Sequence, residues 1–186
     1  MRMWGRRCAD RGVYNQPMNQ GPSSGPASPD PAVDPAGASD TDLLGSSILL
    51  VDDNEQNLEL LHAYLEELPC DIRHARDGFE AVASIQAAPP DIVLLDVMMP
   101  RMSGFQACSK IKSTPETRDI PVVMVTALNE VSDVERAVEC GADDFLTKPV
   151  NKLELLTRVR SLIRVRLLKK QLDRAMAELR RLSSNR

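Results

Sequence analysis

Four short stretches carry side chains that could do chemistry together: Asp52-Asp53, Asp96, Thr126 and Lys148-Pro149. Each follows a short apolar run closely, so each sits where a buried strand would end. Three carboxylates gathered at one mouth cannot all stay charged cheaply, because like charges raise one another's pKa. A hard divalent cation relieves that repulsion, and an oxygen-rich site with room for water suits Mg2+. A lysine beside such a site can pair with an incoming phosphoryl oxygen, and a threonine hydroxyl can donate to another. A carboxylate can itself accept the phosphoryl group and become an aspartyl phosphate. One aspartate at a strand end is more often a helix N-cap, and Asn54 or Asp77 could be only that. Capping does not explain the full set of Asp52, Asp53, Asp96, Thr126 and Lys148.

The elements that must position this set are legible. Apolar runs at Ile48–Val51, Ile72–Ala75 (the weakest), Ile92–Leu95, Val122–Val125 and Phe145–Leu146 predict five strands. Several are continuously apolar, as in parallel sheets covered on both faces. Helical stretches fall between them, near Glu55–Leu68, Gly78–Ala87, Gly104–Ser113 and Glu130–Cys140. A fifth helix opens at Asn151, a good N-cap residue, after the helix-incompatible Pro149. Pro69, Pro89, Pro115 and Gly141 each close a segment. Five strands alternating with five helices give an open α/β sheet, and such sheets bind ligands at the carboxyl ends of their strands. The chemical set falls at those ends.

Composition narrows the rest. The chain has 186 residues, 42% of them hydrophobic and only 3% aromatic, so its core must be aliphatic. No apolar run approaches a membrane span, and no apolar stretch follows Arg2, Arg6 and Arg7 to make a secretory signal. Cys8, Cys70, Cys108 and Cys140 are too far apart for a zinc knuckle or disulfide framework, and are expected to be reduced thiols of a cytoplasmic protein. The net charge of −4 hides a partition. Residues 1–47 carry 4 basic and 5 acidic side chains, residues 48–157 carry 9 and 20, and residues 158–186 carry 10 and 2. Residues 1–47, rich in Pro, Gly and Ser, are expected to be a disordered leader or an over-extended start, since they cannot bury enough apolar surface to offset chain entropy. A docking peptide around Trp4 and Tyr14 has no support there.

Four motifs together resemble the receiver domain of two-component response regulators. They are Ile48-Leu-Leu-Val-Asp-Asp-Asn54, Asp91-Ile-Val-Leu-Leu-Asp-Val-Met-Met-Pro-Arg-Met-Ser-Gly104, Val122-Val-Met-Val-Thr-Ala127 and Gly141-Ala-Asp-Asp-Phe-Leu-Thr-Lys-Pro149. The resemblance covers about residues 48–165, in order and in spacing. It implies a flavodoxin-like fold with strand order 2-1-3-4-5 and a phosphoacceptor module rather than an enzyme. It implies that Asp96 accepts a phosphoryl group from a histidine kinase or histidine phosphotransfer protein. Asp53 would be the main Mg2+ ligand, Asp52 would contribute directly or through water, and Asp96 with the Met98 backbone carbonyl would complete the protein's share. Lys148 would pair with Asp96 and then with the phosphoryl group, across a peptide bond to Pro149 that is usually cis in this family. Thr126 and Phe145 would form the switch pair, biasing an existing two-state equilibrium.

An aspartate-nucleophile phosphatase of the haloacid dehalogenase type is the rival chemistry. That family places a second aspartate two residues beyond the nucleophile as general acid, and here the position is Met98. His62 and His74 fall away from the strand mouths and read as surface or packing residues, as does Phe79.

The last helix continues past the domain. No Gly or Pro occurs from Asn151 to Arg186, and Val165, Leu168, Leu172, Ala175, Leu179 and Leu182 keep the spacing of a coiled-coil seam. Helical to Leu182, the rod would be roughly 48 Å long. The expected division is a leader at 1–47, a receiver at 48–165 and a basic helical extension at 166–186. No DNA-binding domain is legible, so the extended helix is the candidate effector. It could dimerise the protein, dock a separate partner, or attach to nucleic acid or anionic lipid through its positive charge. The regulators nearest in pattern continue such a helix into a cyclic di-GMP enzyme domain, and this chain could be a stand-alone version of their input module. A receiver-like scaffold that is never phosphorylated remains the alternative function.

In receivers, the side chains two beyond the phosphoacceptor and two beyond the switch hydroxyl flank the path of the hydrolytic water. Here they are Met98 and Leu128, both apolar, which predicts slow dephosphorylation. Met98→Asn is expected to shorten the phosphoryl lifetime, followed by intact-protein mass over time; an unchanged lifetime would remove the argument.

Overall fold

The computed structural model describes residues 40–127 and 136–184. The predicted strands form as β1 (Ser47–Val51), β2 (Asp71–Ala75), β3 (Ile92–Asp96), β4 (Val122–Thr126) and β5 (Asp144–Thr147). All four pairings are parallel, and the sheet order is β2-β1-β3-β4-β5. This is the flavodoxin-like arrangement, with helices α1 (Glu55–Leu65), α2 (Gly78–Ala87) and α3 (Gly104–Ser113) and a long C-terminal helix (Lys152–Ser184). Residues 136–139 are helical and fall in the helix expected near Glu130–Cys140; residues 128–135, including Leu128, lie outside the described part.

Period-two alternation in the strands divides the core into two layers. Leu49, Val93, Val122 and Met124 face α2 and α3, packing with Ala81, Ile85, Ala107 and Ile111. Ile48, Leu50, Ile92, Leu94, Val123 and Val125 face the other way, packing with Leu58, Leu61 and Leu65 of α1 and with Leu155, Val159 and Ile163 of the C-terminal helix. Continuous apolar runs are thus buried on both faces, which is why β1, β3 and β4 are the clearest strands in the sequence.

Helix starts are set locally. The Asn54 side chain accepts the amides of Gln56 and Asn57 at the head of α1, and Asp77 accepts those of Phe79 and Glu80 at the head of α2. Ser103 and Gln106 form a reciprocal capping box on α3, a pairing the sequence reading did not single out. Asn151 Oδ1 accepts the Glu154 amide at 3.1 Å, the expected cap of the last helix. Helix α1 stops at Leu65, three residues short of the expected Leu68, because Pro69 cannot continue a helix and disfavours helical geometry in the residue before it.

Two boundaries differ from expectation. Asp40–Leu43, assigned to the leader, form a 3-10 helix, and Leu43 is 0% exposed in the second core layer. Composition missed this because two adjacent leucines among polar residues carry no periodicity. Residues 1–39, with Trp4 and Tyr14, lie outside the described part. The C-terminal helix also stays engaged with the domain beyond residue 165, through ion pairs of Lys169 with Asp119 and Lys170 with Asp91. Arg158 pairs with Asp144, Arg160 with Asp40, and Arg164 with Asp40 and Asp42. These five cations, half of the ten in residues 158–186, offset part of the domain's acidic charge. Val165, Leu168, Leu172, Ala175, Leu179 and Leu182, the residues of the expected seam, are all exposed along the helix.

Gly104 is where α3 meets the sheet. Its amide donates to the Val97 carbonyl at 3.0 Å, and a Cβ placed there would lie 2.1 Å from the Asp96 backbone oxygen. Gly104→Ala must therefore push α3 off the strand that carries Asp96, and is expected to cost about 1–3 kcal/mol of unfolding free energy in urea titration. Gly45→Ala meets nothing within 4 Å but has a φ of 78°. Its expected cost, from backbone strain alone, is about 1 kcal/mol.

Candidate functional site

Strand order reverses at β1, with β2 on one side of it and β3 on the other, so the helices that follow β1 and β3 diverge and leave a crevice. Asp52 and Asp53 follow β1 directly, and Asp96 ends β3. Carboxylate oxygens of the three lie within 4.8 Å of one another. Asp52 is 2% exposed and Asp96 4%, while Asp53 stands at the open rim.

Neighbouring groups hold the buried pair. Lys148 Nζ donates to Asp52 Oδ2 and to Asp96 Oδ1, both at 2.8 Å. The Asn54 amide donates to Asp52 Oδ1 at 2.9 Å, and Asn57 Nδ2 donates to both Asp52 oxygens at 3.1 Å. The Met98 amide donates to Asp96 Oδ2 at 3.0 Å. Burial pushes the Asp96 carboxyl above its ordinary pKa and outweighs the Lys148 hydrogen bond that pulls it down. Burial alone would lower Lys148, but its hydrogen bonds to Asp52 and Asp96 outweigh that and hold the ammonium above its usual value.

Lys148 is brought into place from β5. Its amide donates to the Thr126 carbonyl at 2.7 Å, extending the β4–β5 pairing, and its peptide bond to Pro149 is cis. Thr126 is buried at the end of β4. Phe145 lies two residues before Thr147, the register partner of Thr126, and so projects from the same face. Phe145 is 39% exposed, on the edge strand β5. The loop after β3 is anchored as well: Arg101, at φ 67°, forms an ion pair with Asp77, the cap of α2. Met98 in that loop is exposed.

All the residues expected at the mouth, Asp52, Asp53, Asp96, Met98, Thr126, Lys148 and Pro149, therefore sit at the carboxyl ends of the strands or just beyond them. Asn57 was missed. Its only signal is position, since a residue in the first turn of a helix capped by Asn54 points back towards the strand end. His62 and His74 stay away from the mouth and meet each other, Nδ1 to Nε2 at 2.9 Å, across α1 and β2. The oxygen-only donor set, two of its carboxylates buried against a single ammonium, fits a hard divalent cation.

Comparison with known proteins points the same way. Residues 48–160 match the family described as response regulator receiver domain. The chain is 46% identical over 139 residues to response regulator PleD of Caulobacter vibrioides, covering 75% of this chain and 31% of that protein. It is 39% identical over 117 residues to the DNA-binding dual master transcriptional regulator RpaA of Synechocystis, covering 63% and 48%. The chain thus spans less than half the length of these curated relatives. A solved signal receiver domain of a signal transduction histidine kinase from Syntrophus aciditrophicus matches with a TM-score of 0.61 and 40% identity, over 64% of this chain and 90% of that one.

Because the folded pKa of Asp96 lies above its unfolded value, the charged carboxylate opposes folding at neutral pH, and the penalty fades as pH falls through the folded pKa. Metal-free Asp96→Asn is therefore expected to melt above wild type at pH 7–8, with the gap closing towards pH 4. Added Mg2+ should reverse the order by stabilising wild type more. Melting curves with EDTA or Mg2+ test both halves.

Proposed function

The chain belongs to the response regulator receiver family of two-component signalling, and from that premise we propose that it is a phosphorylation switch. Asp96 accepts a phosphoryl group from a histidine kinase or histidine phosphotransfer protein. The observation that carries this reading is the pair of buried carboxylates, Asp52 and Asp96, held by one lysine beside the exposed Asp53.

Each residue has a distinct task. An Asp96 carboxylate oxygen forms the new bond to phosphorus as the bond to the donor imidazole nitrogen breaks; that nitrogen keeps the bonding pair, and the ring leaves as neutral imidazole with the proton retained on its other nitrogen. Lys148, already 2.8 Å from Asp96, turns its ammonium to a phosphoryl oxygen. The Met98 amide, which donates to Asp96 Oδ2, fixes the carboxylate's orientation for attack. Asp52, Asp53, Asp96 and the Met98 carbonyl would hold Mg2+, whose positive charge would offset that of the phosphoryl oxygens. Asn57 and the Asn54 amide keep Asp52 aimed into the crevice.

Thr126 and Phe145 report the change. The Thr126 hydroxyl moves to the phosphoryl oxygen, and the Phe145 ring, exposed in this structure, turns inward over the space it leaves. Phe145 is followed by Leu146 of the second core layer and preceded by Asp144, which holds Arg158 of the C-terminal helix, so a motion of β5 reaches that helix. The exposed stripe from Val165 to Leu182 then serves as a homodimer seam, with two and a half heptads available.

Incubation of the full chain with Mg2+ and acetyl phosphate is expected to add one phosphoryl mass to wild type and none to Asp96→Asn. Sedimentation of the same samples should show a phosphorylation-dependent shift towards dimer that Leu172→Arg abolishes. No adduct with either acetyl phosphate or a phosphorylated histidine phosphotransfer protein would return the chain to the scaffold reading.

A further inference from the structure

Ahead of β1, the turn Asp40–Leu43 lies along the first part of the C-terminal helix. Arg160 Nε donates to the two Asp40 oxygens at 3.0 and 3.2 Å, and its Nη2 donates to Oδ2 at 3.0 Å. Arg164 Nε donates to Asp42 Oδ2 at 2.8 Å, with its Nη2 3.7 Å from Asp40. Leu43 is fully buried in the core layer that also holds Leu65, Val159 and Ile163. Its carbonyl accepts the Ser46 amide at 3.0 Å and the Cys70 thiol at 3.9 Å.

Arg160 and Arg164 are one turn apart and so share a face of the helix. The sequence Asp-Thr-Asp-Leu presents two carboxylates to that face and a leucine to the apolar seat beside it. Planar guanidinium groups reward such a match with orientation as well as attraction. The hold is nevertheless limited. The Leu43 side chain and carbonyl, with ion pairs that are partly exposed, help anchor these four residues, the kind of unit that opens without unfolding the sheet.

We propose that Asp40–Leu43 is a detachable strap, docked on an arginine-and-apolar surface at the root of the C-terminal helix, which sets how firmly that helix is held on the domain. With the strap seated, the helix leaves the domain in one direction and its exposed seam is presented in one orientation. With it released, residues 158–167 loosen and the seam loses that orientation. The strap's effect on assembly rests on reading the helix as the output element; its effect on the helix root does not.

Amide exchange followed by mass spectrometry on the full chain tests this. Asp40→Arg/Asp42→Arg is expected to speed exchange in residues 158–167 by about tenfold, the combined effect of two weak ion pairs. Strands β1, β3 and β4 should keep wild-type exchange. Adding Arg160→Asp/Arg164→Asp, which restores opposite charges, should return the helix root to the wild-type rate. The milder Asp40→Asn/Asp42→Asn serves if the reversed pair does not fold. Unchanged exchange at the root, equal loosening of the strands, or no rescue by the charge swap would each overturn the strap. Sedimentation of Leu172→Arg separates the two readings: an unaltered oligomer there would sink the seam while leaving the exchange result to decide the strap.

Discussion

One ammonium group holds two buried carboxylates that come from different strands, and the top of the domain is built around that triad. Removing the ammonium would leave two carboxylates uncompensated in a poorly solvated crevice, which is far more costly than losing a surface pair. The triad requires β1, β3 and β5 to end at one level with β4 between the last two, so the sheet order is a condition of the site. It also leaves excess negative charge once Asp53 is counted, which makes the metal-free crevice electrostatically strained and receptive to a cation.

The backbone around Asp96 leaves little slack. Helix α3 begins in contact with the Asp96 carbonyl through Gly104, its first turn is closed by the Ser103–Gln106 box, and the loop between them is tied to α2 through Arg101 and Asp77. Under the proposed switch, a phosphoryl group on Asp96 would meet a fixed acceptor, while the exposed Phe145 on β5 would respond. That asymmetry suits a switch: the acceptor side is rigid, and Phe145 on an edge strand can reorient at small packing cost.

Charge along the chain acquires a different meaning once folded. The acidic excess of residues 48–157 and the basic excess of residues 158–186 suggest an acidic body with a cationic arm. Much of the imbalance is internal, since arginines and lysines of the helix pair with Asp40, Asp42, Asp91, Asp119 and Asp144 from four separate parts of the chain. The helix is held by polar contacts on one side and apolar packing on the other until about Lys170, and beyond that residues 171–183 are all exposed, the seam among them.

Much was legible in the sequence alone. Strands β1, β3 and β4 appear as runs buried on both faces, helix starts are written in Asn54, Asp77 and Asn151, and the acid residues follow the apolar runs directly. These signals are local, because side-chain period, capping and strand-end position depend on a few consecutive residues. What only the tertiary structure decided is of longer range. That Leu43 belongs to the core, that Asn57 serves Asp52 and that five cations of the last helix pair with the domain all depend on pairings set by folding. Asp40 meets Arg160 across 120 positions of sequence, and no periodicity or composition records such a contact. Local pattern thus determined the sheet and the acid pocket; the closing of distant charges on one another determined where the domain begins and how its last helix is held.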